Sequence, residues 1–343
     1  MSTRTQTLDA NSIGQTHEAA SHAPLASRKT FIAALATLAT LGWLGGAALI
    51  QWWPSLDDWP HTRELLILEI ALAIACALLV AGTVARTRLA SKWIDAAPWL
   101  LALSIGITAW EAATAQLEWL PRPFFAPPQA LIAVFFDDLP RLAASVGNSF
   151  VLLAYGYVLG ALTGFAAGVS IGWSRAVGYW LHPVLRLIGP LPATAWLPLA
   201  FFFFPSSFSA SVFLIALATA FPVTVLTWSG VAGVNKAFYD VARTLGAKPS
   251  FLILRVAIPA ALPNVFVGLF MGLGASFSVL IVAEMMGVKA GLGWYLQWAQ
   301  GWAAYSNMYA ALLVMALMCS GLITLLFKVR DRVLSWQKGV LKW

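Results

Sequence analysis

The sequence contains one pattern that is typical of a catalytic nucleophile, Gly168-Val-Ser170-Ile-Gly172. In hydrolases this G-x-S-x-G pattern needs a sharp turn from a strand into a helix, together with a base and an acid that activate the serine. Here the pattern lies inside an apolar run, and only His182 is nearby, with no acid to orient it. We therefore interpret the match as a coincidence and predict no catalytic residue.

The residue spacing does not indicate a metal site or a nucleotide-binding site either. The histidines do not show the spacing of metal ligands, and Cys76 and Cys319 lie within apolar runs. The chain also lacks the G-x4-G-K-S/T phosphate loop with which many proteins bind ATP. We predict that this chain is not an enzyme and holds neither a metal nor a cofactor.

The composition predicts an all-α polytopic membrane protein. Of the 343 residues, 60% are hydrophobic and only 10% are charged, and the mean hydropathy is +0.79. A soluble domain carries about 25% charged residues because it must cover its surface with them. Hydropathy predicts about eight membrane-spanning helices. They are Phe31–Ile50, Leu65–Ala85, Ala97–Leu117, Val146–Trp173, Leu187–Phe204, Phe208–Val234, Val265–Ala283 and Met308–Phe327.

The basic residues predict how these spans are oriented, because Lys and Arg accumulate on cytoplasmic loops. With the N-terminus inside, only four of the 21 basic residues fall outside, namely Arg63, Arg122, Arg141 and Lys289. We therefore expect both termini in the cytoplasm. Residues 1–29 are polar and lack the order of a signal peptide, so we expect them to form a disordered cytoplasmic tail.

The fourth predicted span has a glycine at every fourth position. Residues four apart share one face of a helix, so the stripe forms a groove in which another helix can approach closely. We predict helix packing as its role. The stripe consists of Gly156, Gly160, Gly164, Gly168 and Gly172.

The connection between the sixth and seventh predicted spans has signals for two short helices. Asn235 suits an N-cap, and Gly246 suits the left-handed position that ends a helix. Pro249 can open a second helix, which meets Pro259 before the membrane. We expect a rigid cytoplasmic knob that could receive force from a soluble partner, or a helix pair that lies on the lipid surface.

This connection resembles the signature loop of binding-protein-dependent ABC importer permeases. The family pattern is Glu-Ala-Ala, three residues, Gly, nine residues, then Ile-x-Leu-Pro. Here the equivalent positions read Asp240-Val241-Ala242, Gly246 and Val256-x-Ile258-Pro259 with the spacing intact. The resemblance runs from about Pro98 to the C-terminus and looks closest to the nitrate, sulfonate and taurine branch.

The resemblance implies a six-helix type I permease domain over residues 94–343, with the coupling-helix loop at 235–259. Residues 30–93 would form an extra N-terminal hairpin that the resemblance does not explain. The residues implied in coupling to the ATPase are Asp240, Val241, Ala242, Arg243, Gly246 and Pro259.

The resemblance also implies the partners and the location. ABC ATPase subunits would hold ATP and magnesium, and a binding protein would deliver a small solute. We expect this solute to be an anion like nitrate, a sulfonate or taurine, or else a thiamine-precursor-like molecule. A second permease copy would complete the pathway, as a homodimer surrounded by lipid in the bacterial inner membrane.

Five residues are candidates for the pathway or its gate: Pro190, Pro192, Trp196, Pro198 and Glu284. Irregular backbone at membrane depth is tolerated where it faces protein or a wet cavity, although a kink used only for packing is an equal alternative. We expect Glu284 to make a structural hydrogen bond near the outer gate, because an ionised Glu would repel an anion. The competing function is a secondary transporter or channel, which would tend to show inverted repeats.

Overall fold

The computed structural model describes residues 25–85 and 94–337. Within these ranges every regular element is helical, which confirms the predicted all-α class. The predicted tail falls mostly on residues 1–24, outside the described residues. Contacts divide the chain into two compact units, Met1–Phe136 and Asp137–Trp343. This division follows contacts alone, so the predicted domain boundary at residue 94 stays a prediction.

The first unit is a small group of helices. They are α1 (Leu25–Trp52), α2 (Thr62–Val84), a 3-10 turn (Ile94–Ala96), α3 (Ala97–Glu111), a π-helical turn (Ala112–Gln116) and α4 (Pro128–Asp137, whose last residue belongs to the second unit). Helix α1 packs against both α2 and α3. Its buried centre contains Trp43, which is 1% exposed, beside Ala73 and Cys76.

The second unit is built around one central helix. Its elements are α5 (Leu139–Trp173), α6 (Arg175–Ile188), a 3-10 turn (Ala193–Trp196), α7 (Leu197–Phe203), α8 (Ser207–Ala232), α9 (Lys236–Thr244), α10 (Pro249–Phe251), a π-helical stretch (Leu252–Ala257), α11 (Ile258–Met286), α12 (Leu292–Gly301), α13 (Tyr305–Val333) and a last 3-10 turn (Ser335–Gln337). Helix α8 packs extensively against both α5 and α11. Leu214 and Ile215 of α8 are fully buried in the core of this unit.

In the described ranges, six helices are long and apolar enough to cross a membrane, and a bent pair raises the number to seven. The bent pair is α6 with the 3-10 turn and α7, which meet at 88° where the fifth span was predicted. Gly189, Pro190 and Pro192 occupy the break, and proline cannot continue the hydrogen bonding of a helix. The third predicted span is helical over nearly its whole predicted length, as the 15-residue α3 followed without a gap by the π-helical turn.

The glycine stripe of α5 lies directly against α8. A Cβ atom added to Gly164 would stand 2.6 Å from the carbonyl oxygen of Ala220, and one added to Gly168 would stand 2.7 Å from that of Thr224. At Gly172 the same atom would meet the Val231 side chain at 2.7 Å. The two backbones can approach this closely only because no side chain separates them.

A pair of alanine substitutions on α5 tests this packing. Gly164→Ala should lower the thermal unfolding midpoint, because the new methyl group must push α8 away at a cost of about 1–3 kcal/mol. Gly147, on the same helix, has no atom within 4 Å of its virtual Cβ. Gly147→Ala should therefore leave the midpoint unchanged or raise it, since alanine favours helix more than glycine does. Equal midpoints for the two variants in detergent would contradict the packing.

Candidate functional site

Helix α9 has a well-defined beginning and end. The side-chain oxygen of Asn235 accepts a hydrogen bond from the amide of Ala237 at 3.0 Å, as an N-cap does. At the other end Gly246 has a φ of +80°, so it occupies the left-handed region that favours glycine. The Ala247 amide donates to the Ala242 carbonyl, and the Gly246 amide donates to the Arg243 carbonyl. This pair of bonds is a Schellman motif, so local sequence fixes the geometry of α9.

One face of α9 exposes large apolar side chains. The exposed fractions are 59% for Phe238, 62% for Val241 and 83% for Leu245. These residues follow the three- and four-residue spacing of one helix face. We call this surface the apolar ridge. Asp240 and Arg243 form an exposed ion pair at 3.4 Å on the same helix. A contiguous apolar surface of this kind is typical of a protein or membrane contact.

Tyr239 attaches α9 to the membrane helices. Its ring makes an edge contact with Trp173 at the end of α5, with centroids 6.1 Å apart. It also packs against a buried cluster of Val231, Ala257 and Ala261 from α8 and α11 with the turn before it. Burial raises the pKa of Tyr239, against a smaller opposite effect of the Arg243 charge. A displacement of α9 would therefore be transmitted through the Tyr239 side chain to α5, α8 and α11.

The second half of the connection differs from the predicted pair of separate helices. After α10, the π-helical stretch leads into α11 without a break, so Pro259 lies in the first turn of α11. In a regular helix a proline would clash with the carbonyl four residues earlier. The wider π-helical turn directly before Pro259 removes that conflict and allows the chain to continue.

A cavity of about 810 Å³ lies between α6 and α8. Its walls include Tyr179, His182, Arg186, Pro190, Phe221 and Trp228. The His182 ring makes an edge contact with Trp228, with centroids 4.4 Å apart. Of the predicted pathway residues, Pro190 lies here, at the break between α6 and the following 3-10 turn.

The other predicted pathway residues do not line this cavity. Pro192 precedes the 3-10 turn, and Pro198 lies in the first turn of α7. Trp196 packs against the buried core around Leu214. The sequence could not separate these positions, because proline marks a break in a helix without showing which side faces open space.

Glu284 is buried in a hydrogen-bond network and does not line the cavity. It is 1% exposed. The Ser149 hydroxyl donates to one of its carboxyl oxygens at 2.6 Å, and the Gly293 amide donates to the other at 2.8 Å. The Ser149 oxygen in turn accepts a bond from the Leu292 amide at 2.8 Å. Glu284 thus joins α5, α11 and the start of α12.

A second network in this unit involves residues that the sequence did not single out. The Tyr295 hydroxyl donates to an Asp138 oxygen at 2.7 Å, and the Asn307 amide group lies 2.6 Å from the Tyr295 oxygen. Burial is the main reason that the pKa of Tyr295 rises to about 12. Arg141 stacks over the Trp298 ring at 4.5 Å. Only the polar residues at helix ends hint at this network, which ties the first turn of α5 to α12 and α13.

The first unit holds a polar cluster of its own. Glu111 accepts hydrogen bonds from the side-chain amides of Gln116 and Gln129, each at 3.2 Å. Glu69 is fully buried, and neither of its carboxyl oxygens has a hydrogen-bond partner among the described residues. A Cβ atom on Gly46 would stand 2.6 Å from Glu69 and 2.7 Å from the Thr108 hydroxyl. Gly46 therefore leaves the space that the Glu69 carboxyl occupies.

Residues 156–335 match the family described as "binding-protein-dependent transport system inner membrane component". This stretch is just over half of the chain and contains α9, the apolar ridge and the cavity. The chain belongs to this family. It is therefore a permease, the membrane channel subunit of an ABC transporter, and it crosses the membrane several times.

Curated relatives of this permease support the same membership. A protein named as an aliphatic sulfonates transport permease, SsuC of Bacillus subtilis, is 31% identical over 62% of this chain and 78% of its own length. The nitrate import permease NrtB of Synechococcus elongatus is 27% identical over 70% of this chain and 87% of its own. The bicarbonate transport system permease CmpB of the same species is 32% identical over 57% of this chain and 68% of its own length.

A solved structure is also similar to this permease. It is an inward-facing conformation of the MetNI methionine ABC transporter, whose matched chain is covered over 96% of its length. The match covers 59% of this permease, with 15% identity and a TM-score of 0.47.

The two buried glutamates give a matched pair of stability predictions. Glu284→Met would leave the Ser149 hydroxyl and the Gly293 amide without their acceptor, so it should cost about 1–3 kcal/mol for each lost bond. Glu69→Met orphans no hydrogen-bond donor among the described residues, so it should be neutral or stabilising. Thermal unfolding of the purified variants in detergent measures both effects. A larger loss for Glu69→Met than for Glu284→Met would refute this assignment of roles.

Proposed function

We propose that this permease is the translocation subunit of an ATP-driven importer for a small anionic solute. A binding protein would deliver the solute, and two permease copies would enclose the pathway above two ATPase subunits. The apolar ridge of α9 is the observation that carries the proposal. The ridge is exposed on a helix whose two ends are fixed by sequence, as a docking element requires.

The route of force follows from the contacts of α9. Closure of the ATPases around ATP would move α9, because the ridge would lie in a cleft of the ATPase. The Tyr239 contact would pass this movement to α5, α8 and α11. Packed helices have discrete arrangements and not a continuous range, so such a movement would switch the pathway between inward-open and outward-open states. Asp240, Val241, Ala242, Arg243 and Gly246 would form the coupling helix, and Pro259 would mark the return into the membrane.

The names of three relatives support an anionic solute. Sulfonate, nitrate and bicarbonate are all small oxyanions. These names point to a class and not to one substrate, and the separate binding protein would select within the class. This chain would bind no cofactor and hydrolyse no ATP, because ATP and magnesium would be held by the ATPase subunits.

The assembly would sit in the bacterial inner membrane, with lipid around it and both termini in the cytoplasm. The bias of basic residues toward one side supports this orientation, since only four of the 21 would lie outside. The same orientation puts the α8–α9 and α9–α10 connections in the cytoplasm, where an ATPase can reach them.

Two double variants of α9 test ATPase docking. Val241→Ser with Leu245→Ser removes apolar contact area from the ridge, so binding of the partner ATPase should weaken by about tenfold or more. Lys236→Ser with Thr244→Ser alters the same helix to the same extent outside the ridge and should retain binding. The measurement is the amount of phosphate-loop ATPase that co-purifies with the tagged permease from mild detergent.

All four substituted positions are exposed, so neither variant should disturb the fold, and thermal unfolding checks this. Equal retention of the ATPase by the two variants would exclude the ridge as its docking site. Purification of the original permease without any ATPase, under several mild conditions, would exclude the importer itself.

A further inference from the structure

Helix α6 is strongly two-sided, and its polar side faces the cavity. Tyr179, His182 and Arg186 recur at three- and four-residue spacing and line the cavity wall. The neighbouring side carries Trp180 and Leu187, each 73% exposed, and Tyr179 on the cavity side is exposed to the same extent. An apolar outer side suits lipid or a neighbouring membrane helix. The polar side lines the cavity between α6 and α8.

The cavity reaches from the cytoplasmic end of α8 toward its middle. Trp228 lies one turn before the end of α8 at Ala232, and Phe221 lies near the centre of the helix. Near Phe221 the wall is the broken backbone at Gly189 and Pro190. A Cβ atom on Gly189 would stand 2.6 Å from the Phe221 ring, so this turn sits directly against α8. Irregular backbone at membrane depth is tolerated where it borders a water-filled space.

Arg186 brings a positive charge to this space without a compensating acid. No carboxylate of the described residues lies within salt-bridge distance of its guanidinium, whereas Arg141, Arg243 and Arg330 each have an aspartate partner. On the same wall, the His182 ring contacts the Trp228 ring. Arg186 is exposed, so its charge is open to an ion that enters this space.

We propose that Arg186 contacts the negative group of the transported solute in the inner part of the pathway, which makes this cavity a site for a small oxyanion. The inference rests on the proposed function, since it assigns the solute of that importer to a particular wall. A guanidinium matches two oxygens on one centre, as in nitrate, a carboxylate or a sulfonate. The walls of Phe221, Val225 and Trp228 limit competing water around that contact. A single positive charge also holds the solute weakly enough to let it leave, as conduction requires.

The phosphate of an inner-leaflet lipid has the same oxyanion chemistry and is the competing occupant. Its head group would reach Arg186 from the membrane surface. Solute and lipid can be distinguished because only the lipid is removed by delipidation and only the solute competes from water.

The test measures charge-selective labelling of a cysteine in the cavity of the full-length permease, assembled with its ATPase. The variant Val225→Cys is made after Cys76 and Cys319 are replaced by alanine. A sulfonate-bearing methanethiosulfonate and a trimethylammonium-bearing one are applied from the cytoplasmic side. The sulfonate reagent should react about tenfold faster relative to a free thiol in solution, because a nearby guanidinium attracts it and repels the cation.

Arg186→Gln should abolish this preference, and Arg186→Lys should preserve it in part. Arg175→Gln is the matched control, because it removes a basic residue from the same helix at a position that does not line the cavity. Ethanesulfonate and nitrate in the buffer should slow labelling of the original cavity and not of the Arg186→Gln variant.

An unchanged preference in Arg186→Gln, or no preference at all, would overturn the proposal. Labelling that is blocked in phospholipid vesicles and restored in lipid-free detergent would assign the site to a lipid and overturn it as well. ATPase co-purification and ATP hydrolysis are measured on the same samples. Retained ATPase with no charge preference would reject this inference alone, whereas loss of the ATPase from every sample would reject the proposed function.

Discussion

The close approach of α5 and α8 is the constraint on which the rest of the second unit depends. Lipid tails are as apolar as leucine, so helices in a membrane gain little from burying apolar surface and must associate through close packing. The glycine stripe allows that packing along most of α5. Helix α8 then presents its remaining surfaces to α11 and to the α6 cavity. A substitution on the stripe that displaces α8 should therefore change the geometry of the cavity and the position of α9, although the substituted residue contacts neither.

Buried polar side chains form different hydrogen-bond networks in the two units. In the second unit, Glu284 with Ser149 and Asp138 with Tyr295 join helices that are far apart in the chain, and their hydrogen bonds fix one arrangement of the ends of these helices. In the first unit, Glu69 has no such partner among the described residues, while Glu111 is held by two glutamines. Burial alone therefore does not show that a glutamate stabilises the fold. Its hydrogen-bond partners distinguish a glutamate that joins helices, such as Glu284, from Glu69, which has no such partner among the described residues.

The parts of the structure that depend on local sequence could be predicted. Asn235 and Gly246 mark the two ends of α9 because capping involves only neighbouring residues. A glycine at every fourth residue can likewise be read directly from a sequence. The π-helical turns before Pro259 and after Glu111 could not be predicted, because they depend on how the rest of the unit accommodates the helix. The Asp138–Tyr295 bond joins residues 157 positions apart, and no local signal indicates such a pairing. Proline marks a break in a helix without showing which side faces open space, so the sequence could not distinguish Pro190 from Pro192 and Pro198.

In the proposed importer, ATP bound to a separate subunit changes access to the α6–α8 cavity through α9. The most direct measurement is the labelling rate of Val225→Cys from the cytoplasmic side, with the assembled transporter either free of nucleotide or held in its ATP-bound state. ATP should slow the labelling of the original permease. The same addition should have no effect when Val241 and Leu245 are replaced by serine. Labelling that is equally fast with and without ATP, in a transporter that retains its ATPase, would exclude this coupling between α9 and the cavity.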